Sequence, residues 1–268
     1  MRLEHDLGRK YYEGGATPSN LGGYVSKSML FDFAKSPWGW KHSKAKESTP
    51  AMALGSLVHC LALTPKKWQE DYAISEFDSY RTKAAQEWRD DMIAKGIVPI
   101  TNEQYEQASI IADSVMSDDD LQPYLVAGYD TEVAMYSESD EINVRGMVDI
   151  APKSGDCLID LKTISSITSE ANLVNVVLNR GYHWQAAMYL DLWNAITGEN
   201  RYRFILAFVE SSAPYETAIV DISEFIELGR DGYTKAISLW KKCVSEDTWT
   251  KTISGNTKLK LPHWAIKQ

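Results

Sequence analysis

Three short runs rich in β-branched and apolar residues, Thr131–Tyr136, Ile142–Ile150 and Cys157–Thr163, follow one another with only turn residues between them. Such runs read as strands. The tight turn at Pro152–Asp156 makes the last two antiparallel neighbours. This meander restricts the fold more than any other feature, because helical patterns lie on both sides of it. Ahead of it, residues 28–36 read as a short helix stopped by Pro37. Thr49 and Pro50 open a helix running to about Leu63, with Pro65 beyond. Arg81–Lys95 is helical and closed by Gly96, and Thr101 with Gln104 forms a capping box for a helix to about Met116. After the meander come helices at Ser169–Asn179 and His183–Ala195, strands at Tyr202–Val209 and Glu216–Val220, and a closing helix over Ile222–Val244. This order predicts an α/β fold with a central mixed β-sheet flanked by helices. The 268 residues show no internal repeat, low-complexity tract or Pro/Gly-rich linker. They read as a single domain, with a helical front at about 24–127, an α/β core at about 129–245 and a basic C-terminal tail at 246–268.

Composition excludes several classes. With 44% hydrophobic and 24% charged residues, the chain can bury a core and does not read as disordered. The longest apolar run, Ala51–Leu63, contains His59 and is too short to span a bilayer. The opening MRLEHDLGRK lacks the apolar core of a signal peptide, so a cytoplasmic protein without membrane association is expected. Three cysteines, Cys60, Cys157 and Cys243, lie far apart without a C-x-x-C pair, which argues against a disulfide framework and against zinc or iron–sulfur ligation. The formal net charge of −9 argues against non-specific coating of nucleic acid. Positive charge is nevertheless concentrated. From Lys241 to Gln268 there are six lysines against Glu246 and Asp247, and Lys35, Lys41, Lys44 and Lys46 surround Trp38 and Trp40. Either segment suits a DNA track or a solvated exterior.

The chemistry lies in the meander. Alternation places Ile142, Val144, Gly146, Val148 and Ile150 on one face of their strand, and Arg145, Met147 and Asp149 on the other. In the next strand Leu158, Asp160 and Lys162 share a face opposite Ile159 and Leu161. Hairpin pairing brings Asp149 within a few residues of the level of Asp160. Two carboxylates beside a lysine are costly unless positive charge sits between them. A divalent cation, Mg²⁺ or Mn²⁺, would supply that charge, with the backbone carbonyl of Leu161 as a further ligand. Lys162, about 7 Å along the strand from Asp160 at roughly 3.3 Å per residue, could stabilise an attacking hydroxide or charge developing on a phosphate. The same residues also suit an ordinary surface ion pair.

Two further features bear on the choice. Gly55 and His59 lie one turn apart on one helix face. A glycine inside a helix costs about 1 kcal/mol relative to alanine, which close packing or ligand approach would explain. His59 itself suits a core position or a ligand. In GYHWQAAMYLDLW, Tyr182, Gln185 and Tyr189 form one helical stripe, and a polar Gln among aromatics points to a site or to a satisfied interface.

At these residues the chain resembles the PD-(D/E)XK nuclease superfamily, and within it the RecE-type (exonuclease VIII) and RecB-like exonucleases. The match comprises G-x-x-x-H at Gly55–His59, the first acid at Asp149, D-L-K at Asp160–Lys162, and Q-x-x-x-Y at Gln185–Tyr189. The phrases ALGSLVHCLAL, IDLKT and GYHWQAAMYLD resemble RecE-type sequence in particular. The likeness spans roughly Tyr24 to Leu192, and Val148 stands where the superfamily pattern has proline. The iron–sulfur branch of these nucleases needs cysteines that this chain lacks.

The resemblance implies His59, Asp149 and Asp160 as metal ligands, Lys162 as the catalytic lysine, and Gln185 and Tyr189 at the DNA-facing edge. Glu132, on the preceding strand, is a candidate auxiliary acid. It further implies a Mg²⁺-dependent (or Mn²⁺-dependent) double-strand DNA exonuclease. Such an enzyme digests 5′→3′, leaves 3′ single-stranded overhangs and acts in recombination by single-strand annealing. The implied partners are DNA ends, further copies of the chain in a ring-shaped homo-oligomer (a tetramer), and a RecT-type annealing protein. A ring would let basic residues face a channel while the acidic exterior repels misplaced DNA. The alternatives are a structure-specific endonuclease of the same superfamily and a catalytically inactive nucleic-acid-binding module. The Asp149, Asp160 and Lys162 set speaks against the second.

Overall fold

The computed structural model describes residues 1–5, 7–44, 49–77 and 79–253, together with 255, 258 and 260. Its strands are β1 (Arg2–Glu4), β2 (Tyr72–Ile74), β3 (Val98–Ile100), β4 (Tyr129–Ser137), β5 (Val144–Pro152), β6 (Cys157–Ile164), β7 (Arg203–Glu210) and β8 (Thr217–Asp221). Six of them form a mixed sheet in the order β1-β4-β5-β6-β7-β8, and β2 with β3 makes a separate pair. Within the large sheet every contact is antiparallel except β6–β7. The long connection that parallel pairing requires carries two helices.

The helices are α1 (Lys27–Lys35), α2 (Pro37–Lys41), α3 (Pro50–Leu63), α4 (Trp68–Asp71), α5 (Lys83–Ala94), α6 (Asn102–Met116), α7 (Gln122–Leu125), α8 (Glu170–Asn179), α9 (Tyr182–Thr197) and α10 (Ile226–Glu246). Their starts follow local chemistry. The Thr49 side chain accepts from the Met52 amide ahead of Pro50, and Thr101 and Gln104 form the reciprocal capping box. Pro37 behaves differently from a simple stop. It ends α1 and is also the first residue of α2, where its missing N–H is no loss, and Ser36 caps the new helix by accepting from Gly39. No described helix is long and apolar enough to cross a membrane. Cys60, Cys157 and Cys243 are buried free thiols.

Helices cover both faces of the sheet. On one face Val133, Met135, Val148, Leu158, Phe204 and Leu206 pack against Ala186 and Leu190 of α9, Trp240 of α10 and Phe33 of α1. On the other, Ile150, Ile159, Leu161, Ile205 and Ala207 meet Leu57 and Val58 of α3 and Ile111 and Val115 of α6. A small third cluster packs Tyr11 on Ala134 and Tyr136.

Two features of the large sheet depart from the sequence reading. First, β1 pairs with β4 at the sheet edge, Arg2–Glu4 against Ala134–Tyr136. Three residues are too few to show alternation. Second, Val148 and Ile150 do not share a face, since they belong to opposite cores. The β4–β5 ladder passes from Thr131–Ile150 to Val133–Val148 across a kink at Glu132, whose φ is 49°. The alternation of β5 breaks opposite this kink, at Asp149.

Trp40 is also placed differently. It packs in the core with Phe33, Trp240 and Trp249, and Lys41 donates to the carbonyl of Pro18 at 2.9 Å. Both therefore serve packing. Trp38 is partly exposed and stacks on His42. Lys46 and most of the tail lie outside the described residues.

Candidate active site

The site begins where β5 and β6 part. They pair at Ile150–Ile159, whereas β6 and β7 pair at eight consecutive levels from Cys157–Arg203 to Ile164–Glu210. Past the single pair, the Leu161 amide donates to Asp149 Oδ2 at 2.9 Å. A carboxylate thus stands in for the strand carbonyl that would otherwise satisfy that buried donor. Asp149 and Asp160 line the opening between the strands.

α3 brings His59 to the same opening. A Cβ on Gly55 would stand 3.0 Å from Thr163 Oγ1, so the glycine serves close packing of the helix on β6. One turn later His59 Nδ1 lies 3.5 Å from Asp149 Oδ2, and the ring reaches the Leu161 backbone. From the other side, α9 contributes Gln185, whose Nε2 donates to Asp160 Oδ1. Asp160 Oδ2 faces the Lys162 ammonium as an ion pair. The structure therefore brings His59, Asp149, Asp160, Leu161, Lys162 and Gln185 together. Two carboxylates, a lysine two residues after the second, and a histidine from a G-x-x-x-H helix meet at one strand split.

The sequence profile of a PDDEXK-like domain of unknown function (DUF3799) matches residues 26–259. The chain belongs to this PDDEXK-like family. No curated protein sequence matches it. A solved structure from Eubacterium rectale, provisionally designated an exonuclease, aligns with a TM-score of 0.62 at 19% identity, covering 98% of this chain and 96% of that one. That likeness is one of fold. A phage related exonuclease from Haemophilus somnus 129PT aligns at 15% identity over 84% of this chain and 96% of that one, with a TM-score of 0.36, too distant to bear on function.

Within this candidate site the charges are unevenly compensated. Burial, and then the neighbouring Asp160, push the Asp149 carboxyl well above its ordinary value, against the pull of Lys162 and the Leu161 amide. Burial and then Lys162 lower the His59 imidazole to about 4, leaving it in the neutral form that ligates metals. Burial also opposes the charge on Lys162, but Asp160, Tyr182 and Asp149 outweigh it and hold the side chain as an ammonium.

The donors suit a hard divalent cation. Among the described residues, no three His, Cys, Asp or Glu side chains close into a ready-made metal cluster. Asp160 is instead drawn toward Gln185 and Lys162. Its Oδ2 has only the Lys162 ammonium beside it, the charged form of Asp149 is destabilised, and His59 is neutral. Asp149, Asp160, His59 and the Leu161 carbonyl are the residues that would hold the ion.

The placement of Gln185 and Tyr189 is a correction. The family resemblance puts both at a DNA-facing edge, but they are 4% and 9% exposed. The stripe of α9 that carries them packs down onto the sheet. A Cβ on Gly146 would come 2.7 Å from the Tyr189 ring, so Tyr189 supports β5 from below and Gln185 orients Asp160. Glu132 sits at the backbone kink and contributes to the raised pKa of Asp149.

Lys27 escaped the sequence reading. Its ammonium lies 5.2 Å from the centre of the Tyr182 ring, and Lys162 lies 5.0 Å from the same ring. Lys27 also donates to the Arg180 carbonyl at 3.2 Å. Burial, with Lys162 adding to it, lowers its pKa to about 7. A single lysine at a helix start carries no periodic signal that would have marked it.

Proposed function

We propose that this chain is a Mg²⁺-dependent nuclease that digests double-stranded DNA from its ends. The observation that carries the reading is the strand split, where Asp149, Asp160, Lys162 and His59 meet around unbalanced negative charge. A divalent ion bound there would polarise a phosphate oxygen and favour a hydroxide nucleophile. Lys162, held as an ammonium, adds fixed positive charge and hydrogen bonds at the phosphate. It stabilises the developing charge rather than accepting a proton. Gln185 fixes the rotation of Asp160, and the Leu161 amide fixes that of Asp149.

Membership of the PDDEXK-like family supports hydrolysis of a phosphodiester. The designation of the Eubacterium rectale relative favours an end-dependent enzyme over a structure-specific endonuclease. The sequence likeness to RecE-type proteins supports 5′→3′ digestion, a ring-shaped tetramer and a RecT-type partner in single-strand annealing. Digestion of end-labelled linear duplex and closed circular duplex, each with and without Mg²⁺, tests the reading. Loss of the linear substrate alone, and only with the metal, is expected. Cleavage of the circle would favour the endonuclease, and no cleavage of either would favour an inactive binding module.

A further inference from the structure

The first turn of α9 is clamped between two other helices. Gly181, its N-cap, has a φ of 66°, and a Cβ there would come 2.6 Å from the Phe31 ring of α1. On the other side, a Cβ on Gly229 of α10 would meet the His183 carbonyl oxygen at 1.9 Å. Trp184 packs edge to face on Phe31, with centroids 5.1 Å apart, and Lys27 of α1 donates to the Arg180 carbonyl at 3.2 Å. A side chain at either glycine would push α9 off a neighbour. The turn therefore has little room to shift.

What it presents to β6 is a pair of side chains three residues apart on one helix face. Gln185 donates to Asp160 Oδ1. Tyr182 sets the centre of its ring 5.0 Å from the Lys162 ammonium. Phe208 of β7, the fully buried register partner of Lys162, lies with its ring centre 6.3 Å from that of Tyr182. One rigid turn thus reaches both charged members of D-L-K, one through an amide and the other through a ring.

Lys162 needs a second hold. Its four-carbon stem is flexible, and the Asp160 carboxylate beside it is also a proposed metal ligand. A carboxylate engaged with a metal ion has less charge left for a lysine. An aromatic face attracts an ammonium through its quadrupole and draws on none of that charge. Lys27 stands 5.2 Å from the same ring, but its proton is loosely held near neutrality, so Lys162 is the fuller charge there.

We propose that Tyr182 is a positioning residue whose ring fixes the Lys162 ammonium at the strand split, as Gln185 fixes Asp160. The proposal rests on the nuclease reading given above.

The test has two arms. Urea melts without metal compare wild type, Tyr182→Leu, Lys162→Met and the double variant. The coupling between the two sites should amount to a roughly 5- to 30-fold change in the unfolding equilibrium constant, the range of a largely desolvated cation–π contact. Digestion of a short end-labelled duplex with Mg²⁺ then separates kcat from KM. Tyr182→Leu should lower kcat by roughly 5- to 30-fold and leave KM near wild type. In the Lys162→Met background the same change should add nothing to the residual rate, read with enzyme in excess. Tyr182→Phe keeps the ring and should keep the wild-type kcat, a rescue that holds even if the leucine variant is less stable. Absence of coupling, or a wild-type kcat in Tyr182→Leu, would overturn the proposal. So would equal losses in Tyr182→Phe and Tyr182→Leu, which would assign the effect to the hydroxyl, or a rise in KM alone, which would make Tyr182 a substrate contact. If wild type cleaves and Tyr182→Leu matches it, only the role of Tyr182 falls. If wild type cleaves nothing, the nuclease reading falls and the positioning role with it.

Discussion

β6 has two different sides. Toward β7 it is paired at eight levels, and the residues of both strands fill two cores. Toward β5 it pairs at Ile150–Ile159, and beyond that the Asp149 side chain replaces a backbone partner. One edge of the strand is thus committed to stability, and the other carries the residues proposed for chemistry. Asp160 makes the division plain, since its backbone is in register with Leu206 of β7 while its carboxylate faces the opening. A metal-dependent site needs concentrated negative charge, and that charge destabilises the fold that holds it. Placing it at the open edge, one strand from a fully paired ladder, separates the two demands.

Five single substitutions probe this division. The largest effects belong to the open edge. Asp160→Asn and Lys162→Ala should each lower the rate of duplex digestion by about 10²–10³ or more with far-UV circular dichroism near wild type, and Lys162→Ala, which leaves the buried Asp160 carboxylate without its cation, should also lower Tm in the absence of metal. On the closed side, Leu206→Ala, at a fully buried register partner of Asp160, should cost about 2–5 kcal/mol of stability. Denaturant melts would show it, and the protein still folded should keep its metal requirement.

Lys27 tests the division through pH. Its pKa falls from 10.5 to about 7 on folding, so between those values the unfolded chain binds the proton and the folded chain does not. This contribution makes stability rise with pH across that window. Below it, folding is opposed by a few kcal/mol, at about 1.4 kcal/mol per unit. Lys27→Met should therefore melt above wild type at pH 6 and flatten the rise between pH 7 and 10 in a series of urea melts.

The smallest effect is at Gly55. Gly55→Ala gains about 1 kcal/mol of helix propensity but presses on Thr163 Oγ1, 3.0 Å from the new Cβ. Near-neutral stability with a several-fold loss of activity is expected, and adding Thr163→Ala, which removes the obstructing oxygen, should restore the rate. An unchanged rate in Gly55→Ala would mean that His59 does not depend on this packing.

The contrast between the two edges was partly legible in the sequence. Strand runs, caps and the antiparallel hairpin follow from local chemistry, and Asp149, Asp160 and Lys162 stood out because charge interrupts apolar alternation. The kink at Glu132 did not, because a positive φ at a glutamate has no compositional signature. Opposite it, Val148 and Ile150 lie in different cores and Asp149 accepts from the Leu161 amide. Gln185 and Tyr189 were visible as a stripe, but a stripe does not say whether it faces solvent or the sheet. Lys27 reaches the neighbourhood of Lys162 through long-range packing of α1, where both flank the Tyr182 ring, and nothing local to it marks that.

The central claim, that the open edge of β6 is a divalent-cation site destabilising in itself, is tested most directly by thermal denaturation of wild type and Asp149→Asn with and without Mg²⁺. The asparagine oxygen can still accept from the Leu161 amide, but the buried charge is gone. Without metal, Asp149→Asn should melt above wild type, because the anion it removes is held in a site that raises its pKa. With millimolar Mg²⁺ or Mn²⁺, wild type should shift upward as binding stabilises the folded state, and the variant should not. A wild-type Tm indifferent to both ions, or the same shift in both proteins, would contradict the account.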